Sequence, residues 1–239
     1  MVAPIVPAAI LFDLTNGGDK TWGAEPPYRK LAVAACEGAS HDFKLGNVGA
    51  GYGGRAGAYK GGLGSASAMT EDGFEIGAIV AVNSFGSPVM PGTSALWAWP
   101  FEQGDEMGHQ LPAMRGNISM DLADDVKRPP QPGANTTIAV IAVNAALSAA
   151  LAKRVAIMAQ DGLARSLRPV HTPLDGDAVF VIATGERALR EPVPAQLSLI
   201  GSVAADCLAR AVGRAVFEAD ALGPWEAYRT VHAKGFSGR

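Results

Sequence analysis

The chain has 239 residues and a formal net charge of −3, enough length for one substantial core and no basic run with interleaved aromatics, so a nucleic-acid surface is not expected. Its two cysteines, Cys36 and Cys207, exclude a disulfide framework; each falls in an apolar, helix-like segment and is expected as a buried thiol in a reducing compartment. No apolar run approaches the roughly 18 residues of a membrane helix, and no basic stretch opens a signal peptide, so a cytoplasmic protein is expected, or a periplasmic one if a targeting segment precedes this start.

In chain order, the apolar run Ile5–Leu14 suits a strand covered on both faces. Apolar residues at helical spacing from Tyr28 to Glu37, after Pro26-Pro27, predict a helix. Glycines cluster between Gly46 and Gly64, where they let backbone approach backbone, substrate or nucleophile closely. Phe74–Asn83, rich in Ile and Val and closed by Ser84-Phe85-Gly86-Ser87-Pro88, predicts a central strand. From Val89 to Ala134 no period survives, and the prolines mark a long excursion ending in an exposed linker. Order then returns: a strand over Thr136–Val143, helical spacing over Ala145–Leu167, a strand over Asp177–Thr184 and a helix over Leu197–Leu222. Alternating strands and helices in one domain over 1–239 predict a mixed α/β or α+β sandwich with helices packed on sheets.

The chemistry concentrates where the Pro/Gly linker meets the strand, at Gly133-Ala134-Asn135-Thr136-Thr137. Cutting the bond after Asn135 would make Thr136 an N-terminus whose own α-amine, a group that ordinarily titrates at about 7.7 to 8.0, serves as base for its hydroxyl. Thr136 Oγ can make that cut itself by attacking the Asn135 carbonyl and leaving an ester to water. Taken alone, the same residues also read as a turn entering a strand.

The segment Asn135-Thr136-Thr137-Ile138-Ala139-Val140 resembles the processing site of the DmpA and NylC type N-terminal-nucleophile hydrolases, which include L-aminopeptidases, β-peptidyl aminopeptidases and nylon-oligomer hydrolases. Val6–Leu14 (VPAAILFDL), Asn47–Ser67 (NVGAGYGG with KGGLGSAS), Ala81–Gly86 (AVNSFG) and Arg168–Phe180 (RPVHTPLDGDAVF) are similar to the same family in the same order. The resemblance implies a layered αββα sandwich, autoprocessing into 1–135 and 136–239, and Thr136 as nucleophile. It implies Asn83 as an oxyanion donor, Asp175 and Asp177 as carboxylates orienting amine and hydroxyl, and Lys60 as a cation beside the nucleophile. The family has two lysine placements in this stretch and Ala58 falls at the other. Trp97 and Trp99 resemble a segment that walls the substrate site in the aminopeptidase branch.

No cofactor is implied. The expected substrate is a small peptide or amino-acid amide; a 6-aminohexanoate oligomer hydrolase, an acyltransferase of the ornithine acetyltransferase kind and an inactive truncated relative stay open beside it. Relatives carry further strands before the segment matching Val6–Leu14, so an uncovered edge and a homo-oligomer of nicked protomers, up to a tetramer, are expected. Gly49-Ala50-Gly51-Tyr52-Gly53-Gly54 matches a dinucleotide fingerprint in letters only, since no helix pattern follows. His171 is expected as a structural, hydrogen-bonded loop histidine because no other ligand clusters with it.

Overall fold

In the computed structural model, which describes residues 6–112, 118, 121–128 and 133–233, α1 (Tyr28–Glu37) precedes the short strands β1 (Arg55–Ala56) and β2 (Tyr59–Lys60). Then come β3 (Leu63–Met69), β4 (Glu75–Asn83), β5 (Thr136–Ala145), α2 (Ala149–Ala159), α3 (Asp161–Ser166), β6 (Ala178–Arg187), α4 (Val193–Phe217) and α5 (Tyr228–Val231). β1 and β2 pair with each other, while β3-β4-β5-β6 form one sheet in that order. The sheet is antiparallel except between β5 and β6, whose parallel pairing needs a crossover, here supplied by α2 and α3.

Alternation in the two central strands decides which face is covered. Ile76, Ala78, Val80 and Val82 of β4 lie beside Val143, Ile141, Ala139 and Thr137 of β5, and all are buried beneath the helical layer. α4 supplies Ile200, Ala204, Leu208, Ala211, Val212 and Ala215 to that core, a helical stripe largely of small side chains. On the opposite face Ile79 and Val140 are half-buried, and Met69 and Ile182 are exposed.

Small residues bring β3 and α4 into backbone contact. A Cβ on Gly64 would stand 1.9 Å from the Ala211 carbonyl oxygen, so only glycine fits. Gly64→Ala is expected to destabilise the protein by at least about 2 kcal/mol, read as a lowered urea midpoint; an unchanged midpoint would mean that α4 can slide away freely. Gly61 and Gly62 meet the carbonyls of Val82 and Ala215 at 2.2 and 2.4 Å in the same sense, so the glycine cluster serves close packing of loop on strand and helix.

The mixed α/β class and the order of its main elements follow the sequence expectation, with several differences. Of the strand expected over Ile5–Leu14, Ile5 lies outside the described residues and residues 6–14 form none: Val6 and Ile10 are exposed, and the segment meets the interior through the Phe12 carbonyl and, just beyond it, through buried Asn16. β3 carries no branched run, and Leu63-Gly64-Ser65-Ala66 does not announce a strand. The helical stretch expected over Ala145–Leu167 begins only at Ala149, where Ser148 caps it, and divides after Ala159. Cys207 is buried as expected, but Cys36 is exposed because α1 buries no residue at all. Contrary to the expectation that no membrane-length stretch exists, α4 is long and apolar enough by length and composition, although 61% of its apolar window is buried.

The irregular excursion is held by polar anchors in place of a periodic apolar face. Glu106 accepts from Arg210 of α4 at 2.6 and 2.9 Å, a pair almost withdrawn from solvent, and Arg210 and Arg214 also donate to β3 carbonyls. The Glu102 carboxylate accepts the N–H groups of Met107 and His109.

Candidate active site

β4 ends beside the point where β5 begins, so Asn83 and Thr136 are register partners on one sheet face. The chain just before β5 continues the pairing toward β6 through a parallel bridge between Asn135 and Asp175. This clamps the peptide between Asn135 and Thr136: Gly176 N–H donates to the Asn135 carbonyl at 2.8 Å, and Asn135 Nδ2 donates to Leu174 O at 3.1 Å. Thr136, 4% exposed, donates its hydroxyl to the same Asn135 carbonyl at 2.6 Å. That oxygen therefore accepts from a hydroxyl on one side and a fixed backbone N–H on the other, which draws electron density from a carbonyl carbon next to an oxygen nucleophile.

The loop carrying Gly176 is itself fixed by its two carboxylates. Asp175 Oδ1 accepts from Phe85 N–H just beyond β4, while its Oδ2 accepts from the backbone and hydroxyl of Thr172. Asp177 Oδ1 accepts from Thr137 N–H at 2.8 Å, and its Oδ2 lies 2.8 Å from His171 Nδ1. Both carboxylates flank Thr136, and neither accepts from its hydroxyl, which is turned to Asn135. His171 thus has the loop-fixing contact expected of it, at a positive φ of 54°.

The hydrogen bond to Asp177 raises the His171 pKa, opposed by partial burial. A histidine raised in the folded state contributes stability fully below its unfolded value of about 6.5 and loses it as pH rises through the folded value. His171→Gln should therefore lower the melting temperature more at about pH 6 than at about pH 8.5. An equal drop at both would remove the imidazolium from the explanation.

Asn83, wholly buried, donates Nδ2 to Phe12 O at 2.8 Å and to Ala134 O at 3.3 Å. Its Oδ1 accepts from Asn16 Nδ2, Arg55 N–H and Lys127 Nζ. Lys127 Nζ also donates to Ala134 O at 3.0 Å, so the residue before the junction is gripped by both side chains. Lys60 is buried too, but donates to the carbonyls of Gly51 and Gly61. Burial holds each lysine at about 8, with Asp13 opposing the shift in both cases. Arg55, lowered to about 10 by burial, lies 3.5 Å over the Trp225 ring.

Of the residues singled out in the sequence, Asn83, Asn135, Thr136, Asp175 and Asp177 come together. Lys60 is not in this hydrogen-bonded cluster; its Nζ is held by the carbonyls of Gly51 and Gly61. Trp97 walls a small pocket with Val89, Pro91 and Arg168, and Trp99 begins a short 3-10 turn ending at Phe101; neither belongs to the hydrogen-bonded cluster. Sequence reading missed Asn16 and Lys127, and read Gly176 only as permitting a tight turn between the two aspartates, not as the donor to Asn135 O.

Residues 1–227 match the family model described as Peptidase family S58. An uncharacterized aminopeptidase of Mycobacterium tuberculosis is 42% identical over 249 residues, covering 98% of this chain and 69% of that protein. Among solved structures, a protein of Pyrococcus horikoshii is 25% identical with a TM-score of 0.58, covering 84% of this chain and 52% of its own. The L-aminopeptidase D-Ala-esterase/amidase of Ochrobactrum anthropi, described as a variant of the Ntn hydrolase fold, is 22% identical with a TM-score of 0.55 over 82% of this chain and 53% of its own. This chain therefore spans about half the length of these solved structures, and shares their fold over that half. With a family model covering nearly its whole length and a relative at 42% identity, the chain belongs to peptidase family S58.

Proposed function

We propose that this chain is an autoprocessing amide hydrolase that cuts itself between Asn135 and Thr136 and then uses Thr136 as an N-terminal nucleophile on small peptides or amino-acid amides. The observation that carries this reading is the Asn135 carbonyl, held between the Thr136 hydroxyl and Gly176 N–H at the start of a buried strand. Membership in a peptidase family supports peptide-bond hydrolysis, and the name of the mycobacterial relative favours release of N-terminal residues.

In maturation Thr136 Oγ bonds to the Asn135 carbonyl carbon, Gly176 N–H stabilises the oxyanion, and the Asn135–Thr136 C–N bond breaks as the nitrogen takes up the hydroxyl proton. Water then hydrolyses the ester, giving an Asn135 carboxylate and a free Thr136 amine. In turnover that amine accepts the Thr136 hydroxyl proton and passes it to the leaving group. Asp177, already on Thr137 N–H, and Asp175, in the same loop, would orient the new ammonium; their contacts beside Thr136 support that role. Asn83, whose Nδ2 now donates to Ala134 O beside the junction, would serve as a donor to the substrate oxyanion. The half-buried apolar face of the sheet supports a homo-oligomer of nicked protomers.

Intact mass and N-terminal sequencing of purified protein test the first step, and amino-acid p-nitroanilides test the second. A chain that stays whole would overturn the proposal. Turnover confined to 6-aminohexanoate oligomers, or acetyl transfer to an amine in preference to water, would replace the aminopeptidase reading with an internal amide hydrolase or an acyltransferase.

A further inference from the structure

We propose that Lys127 is a positioning residue of this site: it fixes the amide of Asn83 and holds the carbonyl of Ala134, and so sets the scissile peptide in place for attack. The inference rests on Thr136 cutting its own chain. It assigns the work of a site cation to a lysine in the excursion, in addition to whatever Lys60 does.

Four observations carry it. First, Lys127 is 5% exposed and, among the described residues, no carboxylate lies within ion-pair distance of its Nζ. Its bonds go to two uncharged oxygens, Ala134 O at 3.0 Å and Asn83 Oδ1 at 3.1 Å. With no carboxylate in contact, and Asp175 and Asp13 acting on it only from a distance, the buried ammonium is still costly, and an apolar side chain of similar length would pack there at less cost, so a gain in folding does not account for it. Second, Lys127 acts on Asn83 in a definite sense. With Asn16 and Arg55 N–H it gives Asn83 Oδ1 three donors, which forces Nδ2 to face Phe12 and Ala134.

Third, the mount is rigid. Lys127 N–H donates to Phe85 O, Ala58 N–H donates to Asp125 O, and Ser87 Oγ donates to Asp125 Oδ2, so the backbone is tied at the lysine and two residues before it. Fourth, Ala134 O belongs to the peptide immediately before the one to be cut. Holding it from two directions limits rotation of the Asn135 carbonyl away from Thr136 Oγ and Gly176 N–H, and a fixed donor needs no reorganisation during attack. The lowered pKa of about 8 leaves the amine protonated at neutral pH in most molecules.

The test follows cleavage of freshly purified full-length chain by intact mass in wild type, Lys127→Met, Lys127→Arg, Asn83→Ala and the Lys127→Met/Asn83→Ala double variant, with thermal melts alongside. Lys127→Met keeps the length and removes charge and donors, and Asn83 Oδ1 retains two donors, so folding should survive. Cleavage in Lys127→Met should slow about tenfold or more at an undiminished melting temperature, with partial recovery in Lys127→Arg. In the Asn83→Ala background the same change should cost much less, since the two act as a unit. Wild-type rates in Lys127→Met, full additivity with Asn83→Ala, or loss that tracks a lowered melting temperature in Lys127→Met and Lys127→Arg alike would each overturn the assignment. Failure of the wild-type chain to cut would sink the Thr136 reading itself, and is seen in the same experiment.

Discussion

Thr136→Ala is expected to yield an unbroken chain of 24.6 kDa that hydrolyses no amide. The methyl side chain cannot attack the Asn135 carbonyl, so no amine is liberated, and turnover should fall by roughly 10⁴-fold or more relative to processed wild type. The neighbouring hydroxyl cannot take over. Thr137 lies on the other face of β5, beside Val82 and under the helical layer, and its buried Oγ has no hydrogen-bond partner among the described residues. Thr137→Val should therefore cut itself at the wild-type rate, and Thr136→Ser should still cut, because serine keeps an oxygen on the same carbon. Intact mass reads all three; a Thr136→Ala chain that splits at the same bond would assign the cut to another group.

Gly176→Ala should slow self-cleavage on the order of tenfold to a hundredfold with little change in melting temperature. The new Cβ would stand 3.1 Å from Thr136 Oγ1 and 3.6 Å from Asn135 O, closer to the hydroxyl than carbon and oxygen normally approach. The hydroxyl must yield by a few tenths of an ångström, and it is the atom that has to reach the carbonyl carbon. The backbone N–H that polarises Asn135 O is kept, so the substitution tests position in isolation from hydrogen bonding. Gly176 is exposed, and no positive φ demands glycine there, which leaves folding largely out of the comparison. Cleavage at an unchanged rate would mean that Thr136 attacks from a rotamer other than the one now donating to Asn135.

The central sheet was legible because β4 and β5 advertise themselves: Ile76, Val80 and Val82 against Ile141 and Val143 are branched residues at alternate positions. β3 was not, since its task is to admit α4 at backbone distance, and Gly64, Ser65 and Ala66 satisfy that with letters that read as loop. The apolar run ending at Leu14 misled for the opposite reason. Composition favours a strand there, but the segment meets the rest of the protein through Phe12 O and Asn16, which bond to Asn83, so polar contacts outrank sheet pairing. Within the site, Asn83, Thr136 and the two aspartates could be read from motif resemblance because they sit at strand ends and in a tight loop. Lys127 could not, because it reaches the site through a loop without period, and its partner Ala134 O is a backbone atom that no sequence pattern names.

The place of the junction in the sheet decides what kind of object a cut would leave. β4 lies before it and β5 after it, joined from Ile76–Val143 to Asn83–Thr136, and α4 from the second piece lies across β3 and β4 of the first. The two polypeptides would thus be interwoven halves of a single interior, with neither owning a complete one. Scission would change the molecularity of unfolding from one body to two while leaving the native assembly intact, so a matured molecule once taken apart would have to find its other half again, whereas the precursor carries it along.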